Sequence, residues 1–184
     1  MNKAISLLME EHQYILRFLK VARKMAQKIL DEGELEPDHF YKLIDFVRNF
    51  ADKYHHCKEE DVLFKIMEED IGTAAKEGPV KGMLVEHDLA RIYMTRLKQA
   101  LQKYESGEVD VKLDIIANVV SYTHLLQQHI NTEDNTLYPY AQRMLKPESL
   151  AKLETLVTKE QNEENERIKA KYLELLRFLE KTYN

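Results

Sequence analysis

A single cysteine, Cys57, occurs in 184 residues, so no internal disulfide can form and no thiolate zinc site or iron–sulfur cluster can be built from this chain. Tryptophan is absent, and 5 glycines and 4 prolines leave little material for turns, which argues for long helices joined by few loops. No uninterrupted apolar run approaches the ~18 residues of a membrane span, so no membrane partner is expected. The formal charge of -5 and the lack of a basic stripe with interleaved aromatics exclude nucleic acid as a partner. The first residues lack the basic segment and long apolar run of a signal peptide, and the expected location is cytoplasmic. Gly-rich phosphate loops, a nucleophile elbow and the zincin pattern His-Glu-x-x-His are missing as well.

The composition that remains is 44% hydrophobic and 32% charged, enough apolar material for a core that does not depend on a structural metal. Its periodicity is helical throughout, and the fold class is all-α. From Lys3 to Leu30, Ile5, Leu8, Ile15, Leu19, Ala22, Ala26 and Ile29 recur at steps of three, four or seven, with His12 in the same row. Gly33 and Pro37 end this helix and open a second, running to about Asp70, with Phe40, Leu43, Val47, Phe50, Tyr54, Phe64 and Met67 on its inner face. Gly72 and Gly78 break the chain again before Pro79. A third helix then carries Met83, His87, Ala90, Met94 and Leu97, and a fourth carries Val119, Leu126, His129, Ile130, Glu133 and Leu137. Pro139 is expected to kink or end the fourth. After Lys146-Pro147-Glu148 comes a charged C-terminal helix with a polar interruption at Glu160 to Arg167.

A histidine followed four residues later by a carboxylate occurs twice, in His56-Cys57-Lys58-Glu59-Glu60 and in His129-Ile130-Asn131-Thr132-Glu133. One helical turn apart, each pair aims an imidazole and a carboxylate at one point. Periodicity favours His56 and Glu60 as the inward pair of the second helix, although Val62 and Ile66 extend the row of His55 and Glu59. Two buried glutamates without cations would cost several kcal/mol each, and lysine and arginine are scarce on these rows, so a divalent metal is the economical counter-charge. Imidazole with carboxylate suits iron, manganese or zinc. The Glu-x-x-His motifs of a ferritin-like site are not available, because the spacing occurs only at Glu36 to His39, across Pro37.

These residues, in order, resemble the hemerythrin-like (HHE cation-binding) family: Glu11-His12; His55-His56 through Glu59-Glu60 with Val62-Leu63-Phe64; Glu86-His87-Asp88; and His129-Ile130 with Glu133 and Leu137-Tyr138-Pro139. The resemblance covers residues 4 to 145. It implies an up-down-up-down four-helix bundle over residues 1–145, with an additional C-terminal helix over 146–184 packed on or extending from it. It further implies two non-haem iron ions, carboxylate- and oxo/hydroxo-bridged, with manganese or zinc as substitutes. In that reading His12 and His56 bind one iron, His87 and His129 the other, and Glu60 and Glu133 bridge them, the Val62-Leu63-Phe64 register selecting Glu60 over Glu59.

One departure stands out: Met83 occupies the place of a third-helix histidine found in reversible dioxygen carriers. His55, His124, Tyr54 and Tyr122 are the replacements within sequence reach. Cys57 is expected as a small buried hydrophobe and His39 as a surface residue. The function implied is binding or sensing of dioxygen or a related small oxidant or diatomic, peroxide or nitric oxide. Alternatives are an enzyme that removes peroxide or nitric oxide, and an iron donor for metal-centre repair. A metal-free helical interaction protein, docking a protein partner through its C-terminal helix, is the rival of another class.

Overall fold

The structure, a computed structural model, describes residues 1–159 and 163–183. Helix α1 (Lys3–Glu32) begins where the Asn2 side chain accepts a hydrogen bond from the Ala4 amide at 2.9 Å, and ends at Gly33, whose φ of 69° lets its amide return to the Ile29 carbonyl. Helix α2 spans 37–71, with Pro37 in its first turn. It is α-helical over Pro37–Phe46 and Phe64–Ile71, but over Val47–His56 and Glu59–Leu63 its hydrogen bonds run from residue i to i+5. A helical turn at Lys76–Val80 leads into α3 (Lys81–Glu105). Helix α4 covers 112–144, again with an i-to-i+5 turn, at Glu133–Leu137. That wide turn directly precedes Pro139, and the chain stays helical to Met144, where a kink or an end was expected.

The four helices alternate in direction, which the cross-helix partners show. Phe18 stacks on Phe46 with ring centroids 4.0 Å apart, His12 meets Asp134, Arg91 meets Asp52 and Tyr41 meets Glu105. This is an up-down-up-down bundle. Its apolar interior falls into two clusters, one around Phe18, Phe46, Phe50, Met94, Leu97 and Val119, the other around Leu8, Leu63, Met67, Met83 and Leu137. The histidines and glutamates of the sequence motifs form a polar layer between them. Each cluster is continuous by itself, so dispersion and burial hold the bundle on both sides of that layer.

Beyond residue 146 the described residues form α5 (Pro147–Lys159) and α6 (Glu163–Thr182), on either side of the polar interruption in the expected C-terminal helix. Helix α5 covers the lower cluster with Leu153 and Val157, and Asn2 Nδ2 donates to the Leu150 carbonyl. Helix α6 lies along α1 and α2: Arg17 makes a bidentate pair with Glu180, and the Tyr172 hydroxyl donates to Asp45. Its buried row is Tyr172, Leu176 and Leu179, while Phe178 is 45% exposed. Of the polar interruption, residues 160–162 lie outside the described residues, and 163–167 form the first turn and a half of α6. No helix among the described residues is long and apolar enough to cross a membrane.

Phe18 is fully buried and stacked on Phe46. Phe18→Ala is expected to lower unfolding free energy by about 3–5 kcal/mol in urea titrations, through lost transfer energy and the cavity left behind. A loss below about 1 kcal/mol would mean that this cluster does not carry the bundle.

Candidate metal centre

In the middle layer five imidazoles converge, all at most 3% exposed: His12 from α1, His55 and His56 from α2, His87 from α3 and His129 from α4. Two adjacent histidines on one α-helix diverge by about 100°, by the ~3.6-residue period. The i-to-i+5 hydrogen bonding of Val47–His56 widens the turn, and both His55 and His56 reach the interior.

The imidazoles are oriented from outside by carboxylates. Nδ1 of His55 is 2.8 Å from Glu11 of α1, Nδ1 of His87 is 2.7 Å from Glu60 of α2, Nδ1 of His129 is 2.7 Å from Glu86 of α3, and Nδ1 of His12 is 2.7 Å from Asp134 of α4. Each helix thus supplies the carboxylate that fixes the histidine of the next, and the fourth closes the circuit onto the first. His56 is the exception, with Asp52 of its own helix 3.5 Å away and held by Arg91 at 3.0 and 2.7 Å. An Nδ1–H donated to a carboxylate leaves the lone pair on Nε2, and the Nε2 atoms point inward: His55 to His12 at 2.9 Å, His87 to His129 at 3.1 Å. Two lone pairs cannot hydrogen-bond each other, so each contact needs a proton or a metal ion shared by the two nitrogens.

Two carboxylates complete the layer. Glu59 and Glu133 are fully buried; Oε2 of Glu59 and both oxygens of Glu133 have no hydrogen-bond partner among the described residues. Glu133 Oε2 lies 3.2 Å from His129 Nε2 and 3.3 Å from His12 Nε2, and Glu59 Oε2 lies 3.6 Å from His87 Nε2 and 3.7 Å from His55 Nε2. Glu59 Oε1 accepts the hydroxyl of buried Tyr138, which stacks on the His12 ring and sits 3.5 Å from its Nε2. Three groups of donor atoms have metal-binding spacing: His56, Glu59, His87 and His129, and His12, His55, Glu59 and Glu133 in the buried layer, and Asp52, His56 and Glu60 at its rim. Orphaned buried oxygens facing inward imidazole nitrogens fit a cation site.

Electrostatics agree. Burial, reinforced by the Glu133 charge, raises Glu59 well above the usual carboxylate range. Burial also opposes ionisation of Glu133, but the charges of His129 and His12 outweigh it and hold that group below the range. His12 is raised to about 9: burial lowers it, and the hydrogen bonds to Asp134 and Glu133 more than reverse this. His55 and His56 are pushed well below 6.5 by burial and by neighbouring imidazoles. Burial thus favours the neutral form of Glu59, and the flanking carboxylates favour the charged form of His12.

The structure brings His12, His56, His87, His129 and Glu133 together and sets Glu60 apart. The Glu60 side chain, 25% exposed, sits at the rim, bonded to His87 Nδ1 and at 2.7 Å to Arg91, near Asp52 and His56. Glu59 takes the inward place expected for Glu60, because the i-to-i+5 turns of α2 displace the register that Val62-Leu63-Phe64 suggested. The grouping differs too: His12 faces His55, while His56 joins His87 and His129. Met83 is buried in the lower apolar cluster, and His124 is exposed beside Arg23. Cys57 is exposed and not buried, since the π-helical widening that turns His56 inward turns its neighbour out. His39 is partly buried and bonded to Tyr183.

A helical bundle whose middle layer is a dry, outwardly tethered imidazole–carboxylate cluster defines a metal-binding protein. Residues 3–141 match the family model of the hemerythrin HHE cation binding domain, and the chain belongs to that family. Comparison with curated proteins and with solved structures gave no match.

Metal entering this layer competes with protons for Glu59 and His12. Loading at about neutral pH should therefore release protons, and apparent affinity should climb as pH rises toward about 9, the value for His12. Calorimetric titration in buffers of different ionisation heat measures this directly; heats that do not depend on the buffer would contradict it.

Proposed function

We propose that this is a di-iron protein that binds or senses dioxygen or a related reactive small molecule, peroxide or nitric oxide. One observation carries the reading: five buried imidazoles and two buried carboxylates, with three carboxylate oxygens unpartnered among the described residues, lie in two groups that share Glu59. His56, His87 and His129 would hold one ion and His12 and His55 the other, with Glu59 and Glu133 between them. The absence of thiolates and the mixed nitrogen and oxygen donors favour iron, with manganese or zinc as competitors. When bound, ferrous iron supplies reducing electrons and net positive charge against the two glutamates, the basis for affinity toward dioxygen, peroxide or nitric oxide.

The chain's own groups make the two halves unequal. The His12–His55 half has one imidazole fewer, so the position for an exogenous molecule belongs there, and Tyr138 places its hydroxyl beside it. Tyr138 orients Glu59 by donating its one hydroxyl hydrogen to it. Leu8, Leu63 and Leu137 pack below and exclude bulk water from the layer. Lys58, buried and bonded to Glu11 with its ammonium 3.5 Å from the Tyr54 ring centroid, neutralises the carboxylate behind His55.

Reconstitution under nitrogen should give about two irons per chain, as in other carboxylate-bridged di-iron bundles, and optical bands that change on adding dioxygen or peroxide. Glu59→Gln should lose at least one of them. Glu60→Gln should keep both, with affinity lowered about 10–100-fold as for other outer-shell partners. Equal iron loss in the two variants would contradict the assignment, and protein that takes up no iron would remove the reading altogether.

A further inference from the structure

Four of the five layer histidines have Nδ1 fixed by an outer carboxylate at 2.7 or 2.8 Å, and His56 does not. Its Nδ1 is buried, has no hydrogen-bond partner among the described residues, and stands 3.5 Å from Asp52 Oδ1. A tethered imidazole keeps one tautomer, with the lone pair on Nε2. No such tether fixes His56, so its lone pair can lie on either nitrogen.

On the Nδ1 side, Asp52, His56 and Glu60 each bring one donor atom within 4.8 Å of the others. The side chains of Asp52 and Glu60 are 29% and 25% exposed, whereas the other two groups of such spacing are wholly buried. Among the described residues this is therefore the one group of metal-binding spacing that meets solvent. It also shares His56 with the buried group of Glu59, His87 and His129. A cavity of about 80 Å³, lined by Asp52, His56 and Tyr122, adjoins it between α2 and α3. One water needs ~10–15 Å³ of such space, so the cavity has room for waters that an ion with three protein ligands keeps.

The rim already holds a cation. The Arg91 guanidinium, 37% exposed, donates to Asp52 and Glu60 at 2.7 Å and to exposed Asp88 at 3.0 Å. Ion pairs this open to water are weak, and a divalent ion offered an imidazole and two carboxylates displaces such a partner. Asp88, three residues before Arg91 on the same helix, keeps the displaced guanidinium paired.

We infer that Asp52, His56 and Glu60 form a transit site through which divalent metal enters the buried centre, with Arg91 as the stand-in cation until an ion arrives. The inference rests on the metal-binding reading above. An arriving ion bonds to the two carboxylates and to His56 Nδ1, while the imidazole proton is on Nε2. One neutral imidazole has a single lone pair, so His56 cannot serve the rim and the layer at once. When the proton passes back to Nδ1, the rim loses a ligand, Nε2 becomes a donor to the buried group, and Arg91 returns to the carboxylates.

Stopped-flow absorbance of cobalt(II) binding to metal-free protein tests this. Uptake should show a capture phase whose rate rises with cobalt concentration, then a transfer phase that does not depend on it. Asp52→Asn should slow capture about tenfold, the low end of what focused charge adds to an on-rate. Asp52→Glu, which keeps the carboxylate, should restore it and guards against a fold defect. Glu69→Gln removes an equal charge from an exposed site on the same helix, paired only with Lys152, and should leave capture unchanged. Arg91→Gln should quicken capture, the opposite of what a merely structural loss would do. Two ions bound with capture unaltered in Asp52→Asn, equally slowed in Glu69→Gln, or slowed in Arg91→Gln would overturn the transit site and leave the functional reading standing. Protein that takes up neither cobalt nor iron removes both.

Discussion

Four carboxylates hold four histidines across the bundle in one closed circuit: Glu11 to His55, Glu60 to His87, Glu86 to His129 and Asp134 to His12. In each helix the tethering acid is close in sequence to an inward residue: Glu11 by His12, Glu60 by Glu59, Glu86 by His87, Asp134 by Glu133. One face of each helix therefore supplies a donor to the centre while its shoulder orients the donor of the next. The circuit sets the rotation of all four helices at once, because turning any helix breaks one hydrogen bond made and one received. It also sets the tautomer, and with it the inward direction of every Nε2 lone pair it governs.

That arrangement is costly without a cation. Glu59 and Glu133 are buried with unpartnered oxygens, and like groups are brought together: imidazole against imidazole, carboxylate near carboxylate. The protein keeps the layer in place through the apolar clusters on either side, and the surroundings favour a neutral Glu59 beside a charged His12. A cation in the layer would pair the lone pairs and the unpartnered oxygens. Packing, electrostatics and the proposed function thus meet in the same few residues. The fifth histidine, His56, stands outside the circuit with a loose tether to Asp52, and the cavity beside Tyr122 opens at that point.

The helices, their inward rows and four of the histidines were legible from apolar spacing, because a 3.6-residue period describes α1, α3 and most of α4. The choice between His55 and His56, and between Glu59 and Glu60, was not. Both depend on i-to-i+5 turns in α2, which insert a fraction of a turn that no local propensity announces. The same widening brings both His55 and His56 into the layer. Glu11 and Glu86 were visible beside their histidines, yet their partners lie on other helices, and pairing across helices is a property of the assembled bundle. In the C-terminal segment the polar stretch at Glu160 to Arg167 was visible in the sequence, and the buried row of α6 is Tyr172, Leu176 and Leu179.

The central claim is that the layer holds two ions that share Glu59 and Glu133 and differ by one imidazole. Anomalous diffraction at the iron edge from crystals of iron-loaded protein tests it most directly. The account predicts two peaks, one reached by His56, His87 and His129 and the other by His12 and His55, with Glu59 touching both and Glu60 bonded only to His87 and Arg91. A single peak, or density joining Glu60 in place of Glu59 to the iron, would contradict it.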